Sequence, residues 1–189
     1  MWQEVLQLDR DLLIFLNGLG SADWDGFWLF ITNKWSSIPL YVLLLLLSIR
    51  FLGWKKTGFL LLAIALLITT TDQLANFFKY GVQRPRPCHH ATIADAIRLV
   101  KARCGGKYGY FSAHAASSMA LASFFLMVFR RKLPWLAIPL LLWALSVGYS
   151  RIYIGVHYPG DVLTGIAFGL FFGWLYAKLY IFALHKFKV

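Results

Sequence analysis

Five apolar runs, over residues 35–52, 57–78, 113–129, 133–149 and 161–182, dominate this chain. Each has about the 17–25 residues that a helix needs to cross a bilayer. In hydrocarbon every backbone N–H and C=O must find its partner inside the segment, so such runs fold as helices packed side by side. The predicted fold class is all-α, an integral membrane bundle of about five transmembrane helices. Composition agrees: of 189 residues, 59% are hydrophobic and 14% charged, against about 25% charged in an ordinary soluble domain. So little chain lies outside the runs that we expect one domain over 1–189.

The first 34 residues are apolar in a different way. Val5, Leu8, Leu12, Phe15, Leu16 and Leu19 recur at helical spacing against Gln3, Glu4, Gln7, Asp11 and Asn17. That pattern predicts an amphipathic helix lying in the membrane interface, followed by a second short helix over 25–32. A sixth span over 12–31 is the alternative. It would place Asn17, Gly18, Gly20, Asp23 and Asp25 in hydrocarbon at a cost of several kcal/mol. Glu4, Asp9 and Asp11 interrupt the segment, so it does not read as a cleaved signal.

Charge sets the orientation. With five spans the loop 50–56, the loop 130–132 and the C-terminal tail share one side, and they carry Arg50, Lys55, Lys56, Arg130, Arg131, Lys132, Lys178, Lys186 and Lys188 without one acidic residue. By the positive-inside rule that side is cytoplasmic. The opposite side, towards the periplasm or exterior, receives the longest loop, 80–111, with Cys88 and Cys104 in it. An oxidising compartment allows these two to pair; two free thiols beside His89 and His90 are the alternative. Zinc held by these four residues is conceivable, but their spacing fits no common site. Between the cysteines, Ile93, Ala96, Ile97 and Val100 predict one face of a helix over 92–103, a lid on the membrane surface. A net charge of +11 is compatible with nucleic-acid binding in principle. Here it divides between cytoplasmic anchors and an outer cluster, so the expected partners are the bilayer and a phosphorylated lipid, with no nucleic acid.

Three fragments at the outer ends of the apolar runs form that cluster. Asp72, Asn76 and Lys79 share a face of the second run, which breaks at Gly81, Pro85 and Pro87 and carries Arg84 and Arg86 in the turn that follows. A lone cation at a helix end is ordinarily a snorkelling anchor. Asp72, a carboxylate inside a span, needs a partner, either a site cation or the N-terminal segment. Ser112 and His114 open the third run, where free N–H groups and the helix dipole favour an anion. The third fragment, from Ser150 and Arg151 to His157 and Asp161, offers a guanidinium fork for phosphate oxygens and an imidazole beside a carboxylate. Gly165, Gly169 and Gly173 in the last run predict a close helix contact.

Together these fragments resemble the type 2 phosphatidic acid phosphatase superfamily, which also holds glucose-6-phosphatase and the soluble vanadium haloperoxidases. Its pattern reads Lys-x6-Arg-Pro, Pro-Ser-Gly-His and Ser-Arg-x5-His-x3-Asp. The first and third match in full; in the second, Phe111 and Ala113 replace the usual proline and glycine. The resemblance implies a lipid phosphatase that needs no metal or other cofactor and works through a phosphohistidine. It makes His157 the nucleophile, Asp161 its orienting carboxylate and His114 the proton donor to the leaving oxygen. Lys79, Arg86, Ser112, the Ala113 amide and Arg151 would hold the phosphate oxygens; the pattern assigns no role to the adjacent Arg84, which is placed to assist. Isoprenoid pyrophosphate, phosphatidylglycerophosphate, phosphatidate and lipid A phosphate are the candidate substrates, at the outer face of a bacterial inner membrane. A lipid-to-lipid phosphotransferase and a catalytically silent lipid-binding or transport protein are the alternatives. Oligomeric state leaves no mark on the sequence.

Overall fold

The computed structural model describes residues 2–188. Seven helices carry the fold: α1 (Trp2–Gly18), α2 (Ala22–Thr32), α3 (Ile38–Leu52), α4 (Trp54–Val82), α5 (Ala113–Phe129), α6 (Ala137–Tyr153) and α7 (Pro159–Lys186). Short 3-10 turns at Lys34–Ser37 and Pro134–Leu136 lead into α3 and α6. With those turns, α3, α4, α6 and α7 form four segments long and apolar enough to cross a membrane. The fifth, α5, has 17 residues and runs through the centre, where its Ala115, Ala116, Met119, Ala120, Phe124 and Phe125 are all buried. The all-α, five-helix membrane bundle is borne out.

Small residues on both sides let α5 and α7 nearly touch. A Cβ added at Gly165 would stand 2.6 Å from the Ser112 carbonyl oxygen, and one at Gly169 the same distance from that of Ala116. Side chains larger than hydrogen would force the helices apart, so the glycine stripe sets their separation. Below, Leu44, Leu60, Leu67, Phe124, Phe125, Phe129, Leu136 and Leu140 form the main buried cluster. The basic ends gather at one pole: Lys132 Nζ donates to the Phe51 carbonyl at 2.5 Å, and Tyr180 OH to that of Lys56 at 3.2 Å.

At the other pole α1 and α2 are separate helices, as expected, with the chain breaking at 19–21. Val5, Leu8, Leu12 and Phe15 stay exposed on α1, the face an interfacial helix presents to lipid. Asn17 departs from the expectation of a solvent-facing polar side. It is 1% exposed, and its Nδ2 donates to the carbonyls of Tyr153 (2.7 Å), Arg98 (3.1 Å) and Ile152 (3.3 Å). Its Oδ1 accepts the Arg98 N–H at 2.7 Å. One amide thereby ties α1 to the end of α6 and to the outer loop.

The same contact explains why the expected lid helix over 92–103 does not form. Only the single 3-10 turn Ala94–Ala96 appears there. Both backbone groups of Arg98 are spent on Asn17, and the Arg98 carbonyl also presses on Gly155, where a Cβ would lie 2.6 Å from it. The apolar residues of the segment pack in any case: Ile93 and Ile97 against Leu13 and Tyr158, and Val100 against Tyr153 and Val156. Cys88 and Cys104 are paired in a disulfide, and Arg98 closes on Asp25 of α2 at 2.7 Å.

Candidate active site

The site grows from the turn between α6 and α7. Ser150 and Arg151 lie in the last turn of α6, and the Arg151 carbonyl accepts from the N–H groups of Val156 (3.1 Å) and His157 (3.3 Å). That folds the chain back through Gly155, whose φ of 76° suits glycine. Pro159 starts α7, and Asp161 Oδ2 caps it by accepting the Tyr158 N–H at 3.2 Å. The same oxygen lies 3.4 Å from His157 Nδ1. His157 is 2% exposed and Asp161 0%. Burial holds His157 down to a pKa of about 4, even though the hydrogen bond and charge of Asp161 pull it up and Arg151 and Arg86 push it down. At neutral pH the ring is therefore neutral. With Nδ1–H directed at Asp161, the Nε2 lone pair is free.

Ser112 caps α5, its Oγ accepting the Ala115 N–H at 3.4 Å, while its own N–H donates to the Asp161 carbonyl at 3.0 Å. The N–H groups of Ala113 and His114, in the first turn, have no intrahelical acceptor. Phe111, at the position where the resemblance has proline, is fully buried and stacks on Phe168 with ring centroids 4.8 Å apart. It belongs to an aromatic wall with Phe78.

The third side comes from α4 and the loop beyond it. Lys79 sits in the last turn of α4, which ends at Val82 with Gln83 left-handed at φ 52°. Arg86 is held by the carbonyls of Cys104 (2.9 Å, from Nη1) and Tyr108 (3.3 Å, from Nε). Burial lowers its pKa, partly offset by Asp161. Arg151 is 5% exposed; one of its Nη atoms donates to Thr32 Oγ1, and its Nε has no partner. A buried guanidinium with an idle N–H is costly unless an anion visits it.

The expected residues converge. His114 feels the charges of Arg151, His157, Lys101 and Lys79; Lys79 feels those of Arg86 and Arg151; and Arg151 feels that of Arg86. His157, His114, Asp161, Lys79, Arg86 and Arg151 thus gather in one cation-rich cluster, with Ser112 and Ala113 beside them at the start of α5.

Sequence reasoning missed Asp9 and Lys101 as contributors, and the part that Arg84 plays. Arg84 donates to Asp161 Oδ1 at 2.9 Å and to Asp9 Oδ2 at 2.6 Å, with its guanidinium 3.8 Å from the centre of the Tyr158 ring. Burial pushes the Arg84 pKa down, but Asp161 and Asp9 together more than reverse this and leave it raised. Asp9 also accepts the Gly160 N–H at 2.7 Å. Lys101, from the outer loop, adds a cation whose pKa is lowered by burial and then by Arg151 and Arg86. No local pattern could join Asp9 to Arg84 across 75 residues. Asp72, expected to partner a site cation, acts on Lys79 through its charge but makes no hydrogen bond or close ion pair with any described residue. Cys88, His89 and Cys104 bring three donor atoms within 4.8 Å, but the two sulfurs are bonded to each other and are not thiolates.

The sequence pattern described as PAP2 superfamily matches residues 56–183. Two lipid A 4'-phosphatases are similar over 95% of this chain. That of Bacteroides thetaiotaomicron is 40% identical, with 78% of its own length covered. That of Porphyromonas gingivalis is 36% identical, with 75% covered. The crystal structure of a PAP2-type phosphatidylglycerolphosphate phosphatase from Bacillus subtilis superposes with a TM-score of 0.73 at 20% identity, over 96% of this chain and 88% of that one. The pattern extends over more than half of the chain and spans every fragment of the cleft, so this protein belongs to the PAP2 superfamily.

Proposed function

We propose that this member of the family is a membrane lipid phosphatase in which His157 Nε2 attacks phosphorus. The observation that carries the reading is the pairing of a buried neutral His157, held at Nδ1 by Asp161, with a buried Arg151 whose Nε is idle. The P–O bond to the lipid breaks as the N–P bond forms, and His114 protonates the departing oxygen. Lys79, Arg86, Arg151, Ser112 and the first N–H groups of α5 hold the other oxygens, where charge accumulates. Removing one such donor typically costs about 100- to 1,000-fold in rate. Water then attacks the phosphohistidine with His114 taking its proton, releasing phosphate and restoring His157. Each step uses the chain's own side chains and no metal.

The substrate is a phosphorylated lipid in the outer leaflet of a bacterial inner membrane. The basic pole favours the cytoplasmic side, and the cleft and the disulfide lie at the opposite pole. Among candidate lipids, the relatives at 40% and 36% identity favour a lipid A phosphate. Residues 1–34 and the loop 80–111 serve as an interfacial support and a cover for one catalytic domain over 1–189.

Detergent-purified protein in EDTA should release phosphate from such a lipid, and radiolabel from the substrate should appear on the wild-type chain but not on His157→Ala. Release that survives His157→Ala, or no release from any phosphorylated lipid, defeats the reading. A membrane-impermeant amine reagent on intact cells should label Lys107 and spare Lys55; the reverse pattern defeats the orientation.

A further inference from the structure

Beside His114 lies a cavity of about 550 Å³, lined by the end of α2, the turn Lys34–Ser37, and α3, α4, α5 and α6. Ala113 and His114 border its top; Leu44, Leu60, Ile64, Ile68, Leu121 and Phe125 form its walls. If His114 protonates the leaving oxygen, the alcohol that leaves must lie on this side of the phosphate. Most polar groups lining the cavity are committed, and its other charged residue, Lys34, lies over the Trp35 ring, 5.4 Å from the ring centre. Ser37 accepts from the Trp143 indole, Thr32 from Arg151, and Ser118 donates to the Ala115 and Ala144 carbonyls. Ser117 shares a hydrogen bond with Thr71 at 3.3 Å.

Asp72 is different. It lies mid-span on α4 and is exposed along the cavity; its charge acts on Lys79, but no hydrogen bond or close ion pair joins it to any described residue. A carboxylate in a span that no hydrogen bond satisfies is costly and marks a functional position. The contact between its neighbour Thr71 and Ser117 sets its depth one turn of α5 below His114. Lys79, on the phosphate, stands seven residues further along the same helix, about 10 Å by the helical rise. That separation suits a phosphate followed by one sugar ring.

We propose that Asp72 is a specificity-determining residue of a leaving-group subsite. Its carboxylate accepts a hydrogen bond from a hydroxyl or amide N–H carried by the departing alcohol, and the acyl chains of that alcohol occupy the apolar cavity. The substrate class this fits is a phosphorylated, acylated amino sugar. Phosphatidate brings only ester oxygens to that depth and offers Asp72 no donor. A polyprenyl pyrophosphate brings a second phosphate there, which the carboxylate repels. The inference rests on the phosphatase reading above and deepens it.

The test compares kcat/KM of wild type, Asp72→Asn and Asp72→Ala on three lipids: an acylated glucosamine phosphate, phosphatidate and farnesyl pyrophosphate. Loss of a hydrogen bond to a charged group should cost Asp72→Ala about 10- to 100-fold on the glycolipid. On phosphatidate the change should stay below about threefold, and on the pyrophosphate the rate should rise as repulsion is removed. Binding of the same lipids to His157→Ala, with and without Asp72→Asn, should show the same contrast without turnover. Equal losses on all three lipids would assign Asp72 a general effect through Lys79 and overturn the proposal, as would no loss on the glycolipid. If wild type hydrolyses none of them, the phosphatase reading fails, and the binding contrast still decides Asp72 by itself.

Discussion

Replacing Arg84 by methionine should damage stability and turnover together, and restoring charge balance at Asp9 should recover part of the first. Arg84 joins two carboxylates, Asp161 at 2.9 Å and Asp9 at 2.6 Å, with side-chain exposures of 16% for Arg84, 0% for Asp161 and 13% for Asp9. Methionine keeps the length of the side chain and removes both bonds. Breaking a buried ion pair from one side costs about 3–5 kcal/mol, because the partner charge stays behind. Here two like charges stay behind, roughly 6 Å apart, and their repulsion at an effective dielectric of 20 is about 3 kcal/mol. Asp9→Asn removes that repulsion, and its amide oxygen can still accept from Gly160. Arg84→Met alone should therefore lose about 3–5 kcal/mol. The double variant should lose about 1–3 kcal/mol less than that. The assay is reversible unfolding in mixed micelles for the four members of the cycle, with kcat measured on each. Because Arg84 fixes the second oxygen of Asp161, kcat of Arg84→Met should fall at least tenfold, and Asp9→Asn should not restore it. Wild-type stability in Arg84→Met, or a double variant no more stable than the single, would show that the triad Asp9, Arg84 and Asp161 is not coupled.

Three further outcomes check other parts of the structure. A 15N titration of the histidine rings in nanodiscs should show His157, identified by its absence in His157→Gln, remaining neutral as pH falls from 7 to 5 and protonating near 4; a midpoint near 6.5 would contradict its burial. Asp161→Asn removes the interactions that raise this value, so the midpoint should move lower still. Gly169→Ala puts a Cβ 2.6 Å from the Ala116 carbonyl oxygen and should cost about 1–3 kcal/mol by overpacking, whereas Gly58→Ala, with nothing within 4 Å, should be neutral or slightly stabilising. Reducing the disulfide, which closes a separation of 16 residues, should cost about 3 kcal/mol of unfolding free energy and lower kcat by loosening the Cys104 carbonyl that holds Arg86; unchanged stability and rate would separate the loop from the site.

The legible parts of this protein are those written in short-range chemistry. The five spans, the basic pole and the three fragments follow from hydropathy, charge and helix-end geometry, and α5 begins at Ala113 because Ser112 is a ready N-cap. The illegible parts are contacts between elements far apart in the chain. Asn17 looks like a polar residue on a wet face, yet it is buried because the end of α6 and the turn at Arg98 leave backbone groups that its amide satisfies. The segment 92–103 has helical spacing of apolar residues, but its backbone is spent on Asn17 and Gly155, and tertiary pairing overrides the periodicity. Asp72 reads as a carboxylate needing a protein partner; in the fold its charge acts on Lys79 while its side chain borders a cavity, which no sequence pattern announces.

Two of the contacts that the sequence hides share a location. Asp9 and Asn17 lie two turns apart on α1, a helix whose apolar side is exposed and suited to the membrane interface. On its inner side Asp9 reaches Arg84 and the start of α7, and through Arg84 the carboxylate that orients His157. Asn17 reaches the last carbonyls of α6, one or two residues beyond Arg151. The helix therefore grips both halves of the turn that supplies Arg151, His157 and Asp161. Its seat on the bilayer and the alignment of the nucleophile are parts of one contact network. A displacement of α1 by detergent or lipid composition should reach the chemistry through Arg84 before it reaches the buried core below.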